Sequence, residues 1–200
     1  MRQLAVIHRR SPEKATPGER LFRHLIRLLA NEHSNPIHFR AEGVTGSAVN
    51  IVLRAACAND ADFARDLYFE TMRGIIERLF GWDQNREDEN FARFFKLDEV
   101  RIITVDGQDV GWIQEQTLEK SIHLGSFYVA SRMQNRGIGT QVLQMLLERA
   151  GSESKPLTLE VVKINPALRF YEKRGFRITH EDEHKFYMST STLACGPREC

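Results

Sequence analysis

The sequence predicts an α/β domain built on a mixed sheet, and three observations carry that prediction. β-rich and helix-periodic segments alternate between residues 47 and 190. Asp106-Gly107 divides one β-rich run into two halves, as a two-residue hairpin turn does. Further along, a β-rich run passes through a loop with two glycines directly into an amphipathic helix.

Ile51-Val52-Leu53-Arg54-Ala55-Ala56 opens the domain as a short, partly buried strand. Asn59 is placed to cap the next helix, with Asp60 and Asp62 in a first turn where negative charge suits the helix dipole. Phe63, Leu67, Met72, Ile75, Ile76 and Leu79 recur at helical spacing and extend that helix to Phe80. Gly81-Trp82-Asp83 breaks it, and a second helix is expected from Glu87 to Phe95. Residues 100–116 read as a hairpin about Asp106-Gly107, and Ser121 to Ala130 as another strand. A helix carrying Val142, Leu143, Leu146 and Leu147 follows the glycine loop. Leu157 to Ile164 is a strand, Pro166 to Arg174 a short helix, and Phe176–Thr179 and Lys185–Met188 close the domain as strands.

Composition narrows the class. At 42% hydrophobic and 28% charged residues, the chain is not collagen-like, disordered or a disulfide scaffold. A net charge of +1 leaves it without the electrostatic footprint of a nucleic-acid binder. No apolar run reaches the roughly 18 residues of a membrane helix, so the chain reads as soluble and cytoplasmic. Cys57, Cys195 and Cys200 have no metal-ligand spacing, and their odd number fits a reducing compartment.

The charge is unevenly distributed. Residues 1–46 hold eight Lys/Arg and four Asp/Glu, so this segment is +4 and the remainder of the chain −3. Leu21, Phe22, Leu25, Ile26, Leu28 and Leu29 oppose Arg20, Arg23 and Arg27 on a short basic helical wheel. The segment is either an extension docked on the main domain, a partner, membrane-surface or targeting element, or the product of a start codon placed too early. Residues 47–190 form the domain, and 191–200 a flexible tail.

The loop Gln134-Asn135-Arg136-Gly137-Ile138-Gly139-Thr140 is the richest in chemistry. Glycines between a strand and a helix let a ligand approach the backbone, and the free amides of the first helical turn form an anion site. Arg136 adds a charge suited to phosphate. The alternative is a tight turn that needs glycine for geometry alone. A dinucleotide fingerprint would need glycine where Val142 stands, and no Gly-Lys-Ser/Thr follows for a Walker loop.

On these residues the chain resembles the GNAT N-acetyltransferase superfamily. Gln134-Asn135-Arg136-Gly137-Ile138-Gly139 matches the family's Arg/Gln-x-x-Gly-x-Gly/Ala acetyl-CoA signature. Asn165-Pro166-Ala167, then Phe170-Tyr171 and Gly175-Phe176, match a second family motif in the right order. The likeness covers residues 50–190. It extends to a bacterial subgroup with a Gly-Trp-Asp turn, here Gly81-Trp82-Asp83.

The resemblance implies a mixed, mostly antiparallel sheet flanked by helices, the acyl-CoA N-acyltransferase fold. It implies direct acetyl transfer from acetyl-CoA to a primary amine of a small molecule or peptide, with no metal and no covalent enzyme intermediate. The backbone of Phe127 and Val129 is expected to hold the pantetheine arm, with Asn165 nearby, and the amides of Gln134, Asn135, Arg136, Gly137, Ile138, Gly139 and Thr140 the pyrophosphate. Tyr171 is the expected general acid. The family's base is a strand carboxylate, but Tyr128 occupies the matching position, which leaves Glu115 or Glu160 acting through water. Trp82, Asp83 and Tyr128 are candidates for the acceptor entrance. A non-catalytic acyl-CoA sensor or interaction module on the same fold is the alternative, and a homodimer through a strand edge is compatible with either.

Overall fold

A computed structural model describes residues 50–190. The predicted N-terminal helix and the tail lie outside the described residues. Strand β1 spans Ile51–Ala55, and helices α1 (Ala61–Phe80) and α2 (Gln84–Phe94) follow. The hairpin of β2 (Val100–Val105) and β3 (Gln108–Thr117) turns at Asp106-Gly107 and leads into β4 (Ile122–Val129). Helix α3 (Ile138–Ser152) crosses to β5 (Leu157–Val162), and α4 (Leu168–Glu172), β6 (Arg177–Glu181) and β7 (Lys185–Ser189) complete the domain.

Among the described residues, seven strands lie in the order β1-β2-β3-β4-β5-β7-β6. Of these neighbours only β4 and β5 are parallel, joined by the α3 crossover that such a pair requires. This is the mixed, mostly antiparallel sheet that the sequence implied. Its two faces carry separate cores. Ile103, Ile113 and Leu124 pack with Val142, Leu143 and Leu146 of α3 on one side. Ile102 and Trp112 pack with Leu67 and Tyr68 of α1 and Phe91 of α2 on the other. The Trp112 indole donates to the Ala64 carbonyl at 3.0 Å, tying α1 to the sheet centre.

Two local expectations are corrected. Residues 58–60 form a 3-10 turn, and Asn59 does not cap the helix. The reason is Asp60: its carboxylate takes two Arg54 nitrogens at 2.8 and 2.7 Å and the Cys57 amide at 2.7 Å, which places the helix start one residue later. The second helix begins at Gln84, earlier than the expected Glu87, because the Asp83 carboxylate accepts the Arg86 amide at 2.9 Å as an N-cap.

Gly111 of β3 has no room for a side chain. A Cβ there would run into the Tyr128 carbonyl and sit 3.0 Å from Ile103 Cδ1. Gly111→Ala is therefore expected to destabilise the fold by about 1–3 kcal/mol in urea unfolding.

Candidate active site

β4 and β5 share three rungs, from Ile122↔Leu157 to Leu124↔Leu159, and then separate. At the same level β4 carries a bulge. Gln114 of β3 faces Ser126 and Glu115 faces Leu124, so Gly125 has no partner across the ladder. A bulge bends its strand. Beyond it the β5-side edge of residues 125–129 borders an open cleft, whose other wall is Leu159–Val162, Asn165 and α4. The cleft encloses about 2030 Å³ of empty space, mouth included.

The glycine loop closes one end. Asn135 and Gly137 both adopt left-handed backbone, with φ of 58° and 82°. Gly137 is the residue from which α3 starts, and its carbonyl accepts the Gln141 amide at 3.0 Å. The amides of Ile138, Gly139 and Thr140 therefore precede the first helical donor and stay free of helical partners. Gly139 is present for a different reason. A Cβ there would meet Phe170 and Phe127 at ordinary distances of 3.6 and 3.8 Å, so bare backbone faces the cleft without any steric demand for glycine. Gln134 turns its side chain back, donating from Nε2 to the Val129 carbonyl at 2.8 Å.

Helix α4 lies across the cleft from β4. Asn165 Oδ1 accepts the Ala167 amide at 2.9 Å and shapes the turn into this helix. Phe170 packs edge-on to Phe127, with ring centroids 6.3 Å apart. Tyr171 is 9% exposed and lines the cleft, with its hydroxyl making no hydrogen bond among the described residues. Burial, aided by the neighbouring Tyr128, holds its phenol far above the ordinary range.

A second chamber opens on the other side of the bulge, beneath α1 and α2. Met72, Ile75, Ile76, Leu79, Phe80 and Phe94 give it an apolar lining. Glu87, Glu99, Gln114 and His123 stand at its base. Glu87 accepts from Tyr68, Arg86 and Asn90, and Glu99 from Gln114, with burial raising the Glu99 carboxyl. Gly125, Ser126, Tyr128 and Lys185 line both spaces, so cleft and chamber meet at the bulge. Tyr128 forms part of the shared wall, its phenol pushed up to about 12 by burial.

The structure sorts the expected residues. Gln134, Asn135, Gly137, Gly139, Thr140, Phe127, Val129, Asn165, Tyr171 and Glu160 all border the cleft. Ile138 turns its side chain into the core at 3% exposure and offers only its amide. Arg136 is exposed and is not among the cleft's lining residues. The cation beside the loop in the cleft wall is Arg174, which sequence reasoning missed although it stands within the second motif. Its guanidinium lies 3.9 Å from the Phe170 ring centroid and donates to the Phe170 carbonyl and the Thr140 hydroxyl. Glu115 faces α3 and is held by Arg149 through both carboxylate oxygens. Glu160 reaches the cleft but is paired at 2.5 Å with Lys185, itself 3% exposed. Trp82 and Asp83 line neither space: the indole packs edge-on to Phe69 with Arg73 over its ring, and the carboxylate caps α2.

A family model described as an acetyltransferase (GNAT) domain matches residues 80–189. The chain belongs to that family. Among solved structures, the PaiA N-acetyltransferase of Thermoplasma acidophilum in complex with coenzyme A aligns at TM-score 0.58 and 18% identity, over 70% of this chain and 98% of that one. An acetyltransferase from Thermus thermophilus aligns at 0.56 and 17%, over 70% and 95%. The ribosomal-protein-S18-alanine N-acetyltransferase of Escherichia coli aligns at 0.54 and 17%, over 75% and 99%. At these identities the likeness is one of fold. No curated protein matches the chain.

The two loop glycines predict different responses to alanine. Gly137→Ala should lose about 1 kcal/mol in urea unfolding because of its left-handed φ. Gly139→Ala should stay within about 0.5 kcal/mol of the wild type.

Proposed function

We propose that the protein transfers an acetyl group from acetyl-CoA directly to a primary amine with an apolar body. The observation that carries this reading is the meeting of two unlike spaces at the β4 bulge. One has free amides and an arginine at its end, and the other an apolar lining.

The residues fit acetyl-CoA as co-substrate. The edge of β4 at Phe127 and Val129, past its pairing with β5, offers backbone groups for a pantetheine arm, although the Val129 carbonyl already accepts from Gln134. The amides of Ile138, Gly139 and Thr140, at the positive end of α3, suit a pyrophosphate, and Arg174 adds a cation beside them. Asn165 shapes the wall that the arm would pass. Bound there, acetyl-CoA supplies the activated acetyl group.

The chain's own residues then divide the work. A β4 amide directed at the thioester carbonyl stabilises the oxygen as charge develops. Tyr171, kept protonated by burial, donates to the departing thiolate. The chamber under α1 holds the amine's body and excludes water around the reacting nitrogen. Cys57, the one cysteine among the described residues, is exposed beside β1 and lines neither space, which supports direct attack by the amine.

Two measurements test the reading through release of free thiol. Tyr171→Phe should lower kcat about 100-fold or more and leave acetyl-CoA affinity within about threefold. With n-alkylamines from butyl to octyl, kcat/KM should rise about fourfold per methylene, as burial of about 0.8 kcal/mol each requires. A flat series, or a preference for a polyamine over octylamine, contradicts the apolar acceptor.

A further inference from the structure

An alkylamine arrives as an ammonium ion, with a pKa near 10.4 if it resembles lysine, and must lose a proton before it attacks. Neither carboxylate expected from the sequence is free to take it. Glu115 is bound to Arg149 on the α3 face, and Glu160 is paired with Lys185. We propose that His123 is the general base, with Thr158 holding its ring in the required tautomer. The inference rests on the amine-acetyltransferase reading and names a catalytic residue within it.

The tautomer follows from a proton count. Thr158 Oγ1 lies 3.3 Å from the Ile122 carbonyl, which can only accept, so the hydroxyl donates there. A hydroxyl has a single proton. Its oxygen, 3.3 Å from His123 Nδ1, must therefore accept from that nitrogen, which fixes the proton on Nδ1 and the lone pair on Nε2. His123 and Thr158 are partners on the parallel rungs where β4 and β5 are still joined, so the ring is held at the point where the cleft opens.

Nε2 makes no hydrogen bond among the described residues, and the ring lines the apolar chamber. A Cβ on Gly125 would lie 3.9 Å from Nε2, which places the lone pair at the bulge that both spaces share. Burial lowers the imidazole below its ordinary value. Glu160 on β5 opposes that shift and Lys185 on β7 adds to it. Gln116 faces His123 from β3, and Glu87, Glu99, Glu115 and Arg86 are the other charged groups that line the chamber. The lowered value leaves His123 neutral, and so able to accept a proton, at neutral pH.

The step balances. Nε2 takes a proton from the ammonium and releases it to solvent, and the freed nitrogen pair forms the C–N bond to the acetyl carbon. The C–S bond then breaks. The sulfur takes a proton from Tyr171, which the nitrogen's second proton replaces. The net products are the N-alkylacetamide, free CoA thiol and one proton.

The test uses the full chain with acetyl-CoA and octylamine. His123→Gln, which can keep a bond to Thr158, should lower kcat about 100-fold at pH 7 with acetyl-CoA binding unchanged. Wild-type activity should fall only as the pH drops below about 6.5. Activity of His123→Gln should instead climb about tenfold per pH unit toward the amine's own pKa, so that the deficit narrows as pH rises. Thr158→Ser should keep the wild-type profile and Thr158→Val should lose it. Independently of turnover, NMR of ¹⁵N-histidine-labelled protein should find His123 protonated on Nδ1 and titrating below about 6.5. A His123→Gln enzyme within threefold of wild type with the same pH profile, or a ring protonated on Nε2, overturns the assignment. A wild type that binds acetyl-CoA and acetylates no amine overturns the acceptor reading instead, while the NMR result still decides the state of His123.

Discussion

The parallel pairing of β4 with β5 ends at Leu124 and Leu159, and the rest of the site is arranged around that end. Up to that rung β4 and β5 are neighbours in one continuous sheet. Past it, β4 stays on β3 while β5 stays on β7, and the gap leaves polar backbone facing open space in the middle of the domain. Buried amides without partners are costly, so an edge of this kind is stable only where water or a ligand reaches it. The unopposed Gly125 bends β4 at the same level, and the first turn of α3, its positive end, borders the cleft. One interruption thus creates an extended polar edge, an anion site and a passage to the chamber on the other face.

The buried charges follow the same geometry. Glu115 and Arg149 close against each other between β3 and α3, while Glu115 also borders the chamber. Glu160 and Lys185 face the divergence itself, and both are almost fully buried. Burying an ion pair stabilises little by itself, and removing one partner leaves a costly lone charge. Each carboxylate is therefore committed to its cation. The His123 imidazole, whose Nε2 makes no hydrogen bond among the described residues, stands beside Gly125 where cleft and chamber meet.

Much of the fold was legible because its signals are local. Asp106-Gly107, the period of α1 and the strand-loop-helix passage at Gly137 each fall within a few residues, and all the sheet strands were placed near their observed ends. The cleft-lining residues were legible through two motifs. The errors arose where a contact between side chains decides the outcome. Arg54 reaches Asp60 and moves a helix start, and Asp83 caps α2 where a place at the acceptor entrance was expected. Arg136 of the loop is exposed and outside the cleft lining, while Arg174 reaches Thr140 from beyond another helix, a contact that no local pattern shows. From the sequence His123 titrates in a useful range but has no placed partner, because Thr158 lies one crossover away and only the sheet register joins them.

Calorimetric titration of the folded protein with acetyl-CoA, with NADH as the control nucleotide, asks whether the gap between β4 and β5 takes acetyl-CoA. Saturable binding of acetyl-CoA on the micromolar scale, and none of NADH, is expected. A folded sample that binds neither, or binds both alike, would contradict the acetyl-CoA reading.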